Sequence, residues 1–411
     1  MKNTKELFSL GDIYVSDFIK DDGAPRGPKS PLTLVLEEET GAVRLTEVPD
    51  GDVMYGKYWY RSGINATMTR ELGEIVSSCT DAIKINDGDA WLDIACNDGT
   101  LLKQVPNNMT KIGCDPADDS YTHESRQVAD LVIQDYFNEK AYKDSKYGDK
   151  KAKIVTTIAM FYDLDDPKGF LRDVHKVMAD DGLFVLQMSY TPLMLKQLAF
   201  DNICHEHVYY YNLTNIKAML EECGFHVCDC QLNDVNGGSF RVYSRKQSAN
   251  PADFKTSPYR DVAEYRMDAI LNMEEADKMD TVEPYLEFWK NINDLKDETV
   301  AFIKKAKSEG KSVWGYGAST KGNTLLQWFG LDETLIDGIA ERSPYKFGLK
   351  TVGTNIPIYS EDEMRAAKPD YMLVLPWHFI NEFVEREKDY LKAGGKFIVP
   401  CPRFEIIGYE G

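Results

Sequence analysis

The sequence predicts an α/β protein built around a doubly wound parallel sheet, with a small β-rich subdomain before it and a second, smaller unit of the same type after it. Three observations carry this prediction. From Asp89 onward apolar strand-like runs alternate with amphipathic segments, and a second alternation begins at Lys311, a pattern that parallel α/β sheets produce. Residues before Asn65 show short apolar runs broken by Gly and Pro instead. The 411 residues, at about 150 per domain, leave room for two or three domains.

In order along the chain, residues 1–64 hold the runs LFSLGDIYVSDFI and PLTLVLEEETGAVRL and the aromatic cluster YGKYWYRSG, which leads into a predicted helix from Asn65 to Cys79. In 65–250 the runs DAWLDIAC, MTKIGCD, ADLVIQD, KIVTTIAMF and GLFVLQMS read as strands, followed by a helix (LTNIKAMLEECGF) and two strands joined by Asn236-Gly237-Gly238, a turn signal that closes a hairpin. A Pro/Ser-rich segment, QSANPADFKTSPYR, opens a helical linker region, 251–310, whose acidic, periodically apolar sequence reads as two helices. In 311–411, KSVWGYGAS is a strand with a Gly-rich turn, TKGNTLLQWFG a helix, and LIDGIAE, YMLVLPW and KFIVP are strands of a Rossmann-like unit.

Composition narrows the function. Against 48 Lys+Arg stand 67 Asp+Glu, a net charge of −19, which disfavours long-range attraction to nucleic acid or anionic membranes. A small phosphorylated ligand remains compatible, because two or three local basic side chains can hold a diphosphate. Eight irregularly spaced cysteines and an N-terminus without an apolar signal core predict a cytoplasmic protein without disulfides. The longest apolar stretch is broken by Gln187, Pro192, Lys196 and Gln197, so no membrane span is expected.

Three segments carry chemistry. In WLDIACNDGTLL, Asp93 sits near a strand's carboxyl end, before the tight turn Ala95-Cys96-Asn97-Asp98-Gly99. Ligands of doubly wound sheets bind at such ends. About twenty residues on, Asp115 ends the next strand, where an acid accepts hydrogen bonds from a ribose diol, and Asp135 ends the third. The turn lacks the G-x-G-x-x-G spacing that brings backbone against a pyrophosphate, which favours a nucleoside without phosphate, such as S-adenosylmethionine. Taken singly, Asp98-Gly99 also reads as a plain turn and Asp115 as a helix cap.

The second segment, FDNICHEHVYYYNL, falls at the same carboxyl edge. His205, Glu206 and His207 concentrate groups that titrate near neutrality, which suits acid/base work. If extended, the segment points His205 and His207 one way and Glu206 the other. Cys204, His205 and His207 are also metal-ligand types, but no spacing of a closed zinc site accompanies them, and structural histidines are the plain alternative. The third segment, GYGASTKGNT, places Tyr316, Ser319, Lys321 and Asn323 at a strand-to-helix turn that favours anions, while a lone G-x-G turn reads equally as tight helix–strand packing. AERSPYKFG adds Glu341, Arg342 and Lys346, and NGGSFRVY adds Asn236, Gly238 and Arg241, as candidates for a diphosphate or sugar.

In this order YWYRSG, LDIACNDGTLL, FYDLDDP, the HEH segment, NGGSFRVY, GYGASTKGNT and ERSPYKFGL resemble the sugar C-methyltransferases that act on nucleotide-linked 4-keto-deoxyhexoses. The resemblance implies an N-terminal zinc-binding subdomain, a central class I S-adenosylmethionine-dependent methyltransferase domain and a C-terminal Rossmann-like domain that helps hold the nucleotide-sugar. It departs in three places. Glu37 and Thr40 stand at positions resembling the family's second cysteine pair, so no zinc is expected. Tyr162 replaces a family histidine and Cys204 a tyrosine, whereas Glu206 and His207 match the catalytic pair and Tyr60 falls near the active-site tyrosine.

On this resemblance His207 removes a proton α to a ketone, with Glu206 holding and charging it. Tyr60, Tyr162 or His205 then stabilises the enolate oxygen. The other readings are an O-methyltransferase on a sugar or small hydroxyl compound, with or without a metal held by His205 and His207, and a non-catalytic nucleotide-sugar binder.

Overall fold

The computed structural model describes residues 3–20, 27–51, 54, 59–255 and 262–409. Residues 55–58 of the aromatic cluster and 256–261 of the Pro/Ser-rich segment lie outside the described residues.

The N-terminal part forms β1 (Thr4–Tyr14), β2 (Phe18–Ile19), β3 (Lys29–Glu37) and β4 (Ala42–Leu45). β1, β3 and β4 pair antiparallel in one sheet. Period-2 apolar positions Leu32, Leu34 and Leu36 on β3, with Leu7, Phe8 and Leu10 on β1, face inward and are buried. They share one core with Phe288 and Ile292 of the helix Glu283–Ser308 and with Trp328 and Phe329 of the helix Thr320–Phe329. Phe8 stacks on Trp289 with ring centroids 4.9 Å apart. The sheet is thus stabilised by burial against the C-terminal part. At the positions resembling a cysteine pair, Glu37 accepts hydrogen bonds from Arg44 Nε (2.8 Å) and Thr40 Oγ1 (3.1 Å), a polar clamp across the β3–β4 hairpin.

The helix Ala66–Ala82 leads into the central sheet. Its strands are β5 (Ala90–Ile94), β6 (Thr110–Cys114), β7 (Leu131–Ile133), β8 (Ala152–Ile158) and β9 (Met178–Ser189); β10 (Tyr209–Tyr210) leaves to pair with β4, and β11 (Phe225–Asn233) and β12 (Ser239–Lys246) complete the sheet. The order is β11-β12-β9-β8-β5-β6-β7, parallel from β9 to β7 with β12 antiparallel between β9 and β11. The chain therefore reverses direction across the sheet beside β5, and ligand crevices open at such switch points. The hairpin turn before β12 takes positive φ at Asn236 (53°), Gly237 (82°) and Gly238 (105°).

The region 251–310 holds two helices, as the periodicity predicts, and they pack on different parts. Ala263–Ala276 lies on β11; there Arg266 holds Asp229 at 2.7 Å through each carboxylate oxygen. Glu274 accepts from Tyr190 Oη (2.6 Å) and from the Leu213 and Thr214 N–H groups. Glu283–Ser308 packs on β1 and on the C-terminal sheet. That sheet contains β13 (Val313–Tyr316), β14 (Ile339–Glu341), β16 (Ile358–Ser360), β17 (Tyr371–Val374), β18 (Lys396–Val399) and β19 (Glu405–Ile407), in the order β16-β14-β13-β17-β18-β19; the short β15 (Lys350–Thr351) pairs with β2. Two of these strands, β16 and β19, were not expected from the sequence, each being only three residues long. Among the described residues no helix is long and apolar enough to cross a membrane.

Candidate active site

A cleft of about 560 Å³ lies where the carboxyl ends of the central strands face the Gly-rich turn of the C-terminal sheet. Its first wall is the turn after β5. Backbone φ is positive at Ala95 (60°), Asn97 (51°) and Gly99 (79°), a conformation uncommon without compensation. Hydrogen bonds supply the compensation. Asn97 N–H donates to Asp115 Oδ2 (2.8 Å), Asn97 Nδ2 to the Tyr60 carbonyl (2.9 Å), and Gly63 N–H to Asp98 Oδ2 (2.7 Å). A Cβ at Gly99 would sit 2.8 Å from Ser125 Cα. Asp98 and Gly99 therefore shape the turn, while Asp93, Ala95, Cys96, Asn97, Asp115 and Asp135 line the cleft. Asp93 accepts from Thr156 Oγ1 at 2.7 Å. Burial pushes its carboxyl up to about 7, the Thr156 bond opposing and the Asp115 charge adding. Burial also raises Asp115, against the N–H groups of Ala117 and Asn97. This wall of carboxylate acceptors fits ribose hydroxyls and an ammonium group, so the residues present suit S-adenosylmethionine.

The second wall carries the HEH segment, which is a turn and not extended: His207 N–H donates to the Cys204 carbonyl at 3.2 Å. The turn breaks the alternation expected of a strand. Glu206 and His207 both line the cleft, and His205 points away, its Nε2 2.9 Å from the Ser30 carbonyl. His205 is thus off the cleft, and among the described residues no three His, Cys, Asp or Glu side chains converge as for a metal.

The His207 ring packs on Tyr162, centroids 4.0 Å apart. Burial, then the Lys321 charge, hold its pKa well below the usual imidazole value, with the Asn202 carbonyl opposing. The ring is neutral and able to accept a proton. Glu206 stands beside Asp163, whose carboxyl is pushed well up by burial and then by the Glu206 charge, with Lys321 opposing. Asp163 Oδ1 has no hydrogen-bond partner among the described residues. Tyr60, 38% exposed, lines the cleft from the segment before the helix Ala66–Ala82.

The third wall comes from the C-terminal sheet. Gly317 has φ 84°, and a Cβ there would meet Pro376 Cγ at 2.7 Å. Ser319 caps the helix Thr320–Phe329 by accepting from Gly322 N–H at 2.9 Å. Glu341, ending β14, accepts from the N–H groups of Arg342 and Ser343 at 2.8 Å. Lys346 Nζ donates to the Ala318 carbonyl at 2.6 Å and lies 3.7 Å from Glu341. Tyr316 Oη lies 2.8 Å from Glu387 and 3.0 Å from Glu361. Tyr316, Ser319, Lys321, Glu341, Arg342, Lys346 and Asn236 all line the cleft.

Three candidates for substrate contact are not brought there. Gly238 packs on Leu193, where a Cβ would clash at 2.6 Å. Asn323 is fully buried, its Nδ2 on the Asp17 carbonyl (2.8 Å). Arg241 is committed to Glu71 (2.6 Å) and to Gln187 Oε1 (2.7 Å): the unit charge finds its counterion inside the fold. Conversely Asp163, Asp201 and His378 line the cleft without having been singled out. The signal was available, since Asp163 follows β8 and His378 follows β17, the same carboxyl-end rule that selects Asp115.

Comparison with known proteins gives two family matches and a relative of nearly full length. Residues 64–229 match a family described as a methyltransferase domain, and residues 234–402 one described as a C-methyltransferase C-terminal domain. The C-methyltransferase NovU of Streptomyces niveus is 28% identical over 409 residues, 98% of this chain and 94% of that protein. Among solved structures, a putative methyltransferase in complex with the Haloferax volcanii Trm112 activator (12% identity, 44% of this chain and 95% of that one, TM-score 0.35) and an S-adenosylmethionine-dependent methyltransferase from Clostridium acetobutylicum (13%, 43% and 92%, 0.34) are similar over less than half of this chain. Two family matches in tandem, and a relative aligned over 98% of the chain, identify an S-adenosylmethionine-dependent methyltransferase that is similar to the C-methyltransferases.

Proposed function

We propose that the protein methylates a carbon α to the ketone of a nucleotide-diphosphate-linked 4-keto-deoxysugar, by way of an enolate. The observation that carries this reading is the neutral, buried His207 facing the same cleft as a carboxylate-lined nucleoside wall and a Gly-rich, helix-capped turn. Bound along Asp93, Ala95, Cys96, Asn97, Asp115 and Asp135, S-adenosylmethionine supplies an electrophilic methyl group. Asp98 and Gly99 keep that wall's turn in shape.

His207 takes the proton from the substrate carbon, and its burial favours the neutral form that can do so. Glu206 faces the developing imidazolium from the same turn. Tyr162, packed against His207, and Tyr60 offer hydroxyls to the substrate, and His205 positions the turn through Ser30. Tyr316, Ser319, Glu341, Lys346 and Asn236 bind the nucleotide-sugar along the third wall, whose remote binding energy serves to orient the sugar. Eight reduced cysteines, seven of them buried, support a cytoplasmic setting.

The test is mass spectrometry of reactions with a panel of nucleotide-linked 4-ketosugars. Expected is a product heavier by one methylene, with deuterium entering the carbon next to the ketone of the unmethylated sugar when S-adenosylhomocysteine replaces the methyl donor in heavy water, and loss of both in His207→Ala. Methylation of a sugar lacking any ketone would refute the proposal.

A further inference from the structure

Lys321 opens the helix Thr320–Phe329, where the sequence suggests a phosphate ligand. Its Nζ turns elsewhere, donating to Asn202 Oδ1 at 2.6 Å. Asn202 is itself fixed, 1% exposed, with its Oδ1 3.0 Å from Ser189 Oγ and its Nδ2 on the Ala199 carbonyl. The ammonium is therefore anchored to the loop that leads directly into Glu206 and His207, and all three residues line the cleft. Its charge is felt at His207, Asp163 and Asp201.

His378, on the loop after β17, lines the same cleft and also lies within the reach of the Lys321 charge. Its Nδ1 is buried without a hydrogen-bond partner among the described residues. A buried ring nitrogen left unpaired is unfavourable in the protein alone and becomes favourable when a ligand supplies the partner.

We infer that the C-terminal sheet supplies catalytic groups as well as substrate affinity: Lys321 and His378 hold the substrate's carbonyl oxygen as it gains negative charge. This rests on the enolate reading above. In the step, the C–H bond breaks, its proton goes to His207, and the electron pair shifts onto the carbonyl oxygen between the Lys321 ammonium and the His378 N–H. The pair returns to carbon as the new carbon–carbon bond forms, and sulfur keeps the pair of the bond it loses. An enolate beside the carboxyl groups of Glu206, Asp163 and Asp201 needs a cation aimed at its oxygen, and the preorganised Lys321 meets that need.

The experiment uses the full chain, S-adenosylhomocysteine and the thymidine- or uridine-diphosphate 4-keto-6-deoxyhexose that the wild type methylates. Deuterium uptake next to the ketone is followed in heavy water, alongside the Kd of the same sugar nucleotide. Lys321→Met is expected to slow uptake by about 100- to 1000-fold, with Kd within about threefold, and His378→Asn to slow it at least tenfold. Among the described residues the His378 side chain makes no hydrogen bond that its removal would break, so this variant keeps the test open even if Lys321→Met misfolds. Kd weakened tenfold or more, with uptake and kcat retained at saturation, would make Lys321 a phosphate ligand and overturn the inference. Uptake surviving in both variants overturns it as well. No uptake by the wild type on a compound it methylates would instead remove the enolate reading.

Discussion

Arg241 offers the sharpest separation of a structural from a substrate-binding role. Its guanidinium donates to Glu71 at 2.6 Å and to Gln187 at 2.7 Å, with side-chain exposures of 9% for Arg241 and 10% for Glu71. Gln187 in turn donates to Glu71, so the three form one buried network between β12, β9 and the helix Ala66–Ala82. Arg241→Met leaves the Glu71 carboxylate buried without its cation, a loss of about 3–5 kcal/mol. At about 2–4 °C per kcal/mol for a unit of this size, the unfolding midpoint falls by roughly 6–20 °C. Adding Glu71→Leu removes the stranded charge and recovers most of the loss, because apolar replacement of a buried pair is often nearly neutral. The assays are thermal unfolding by circular dichroism and steady-state kinetics below the transition, where KM for the sugar nucleotide stays within about twofold. An unchanged midpoint with KM raised tenfold would show that the guanidinium reaches the substrate and would refute the argument.

Three further outcomes follow from particular contacts. Asp93 has a folded pKa of about 7, above its ordinary value of 3.8, so folding favours its acid form and that stability is lost as pH rises from 3.8 through 7. Asp93→Asn gains on the wild type between about pH 5 and pH 8 in urea midpoints, and an equal difference at both would contradict this. Gly99→Ala forces a Cβ onto Ser125 Cα at 2.8 Å with φ at 79°, so calorimetric titration should find S-adenosylmethionine binding weakened at least tenfold; unchanged binding would mean the turn tolerates a side chain. Glu37→Ala removes the acceptor of Arg44 and Thr40 in the β3–β4 hairpin and should cost about 1–3 kcal/mol. A chelator should leave the wild-type melting curve in place, and a lowered midpoint would show that a metal holds this part.

The sequence by itself determined most strand runs of the central and C-terminal sheets, the Asn236-Gly237-Gly238 turn, the acceptors Asp93 and Asp115, and the presence of Glu206 and His207 at the carboxyl edge. Those features are local: strand burial leaves continuous apolar runs, and carboxyl-end residues follow directly from strand position. Only the tertiary structure decided which polar side chains face the cleft. Arg241 and Asn323 look like ligands in sequence because a polar residue near a Gly-rich turn suits an anion, but their partners Glu71 and Asp17 lie 170 and 306 positions away. The same holds for Lys321, whose partner Asn202 lies 119 positions away and draws it from the predicted phosphate site toward the loop that carries Glu206 and His207. The direction of His205 turned on whether its segment was strand or turn, a choice made by the Ser30 carbonyl of another sheet. Likewise the N-terminal strands were readable, while their stabilising surface was not, since Phe8 finds Trp289 only when the C-terminal helices fold against it. Long-range pairing of charges and apolar faces leaves no periodic trace in the chain, and that is the physical boundary between the two kinds of knowledge here.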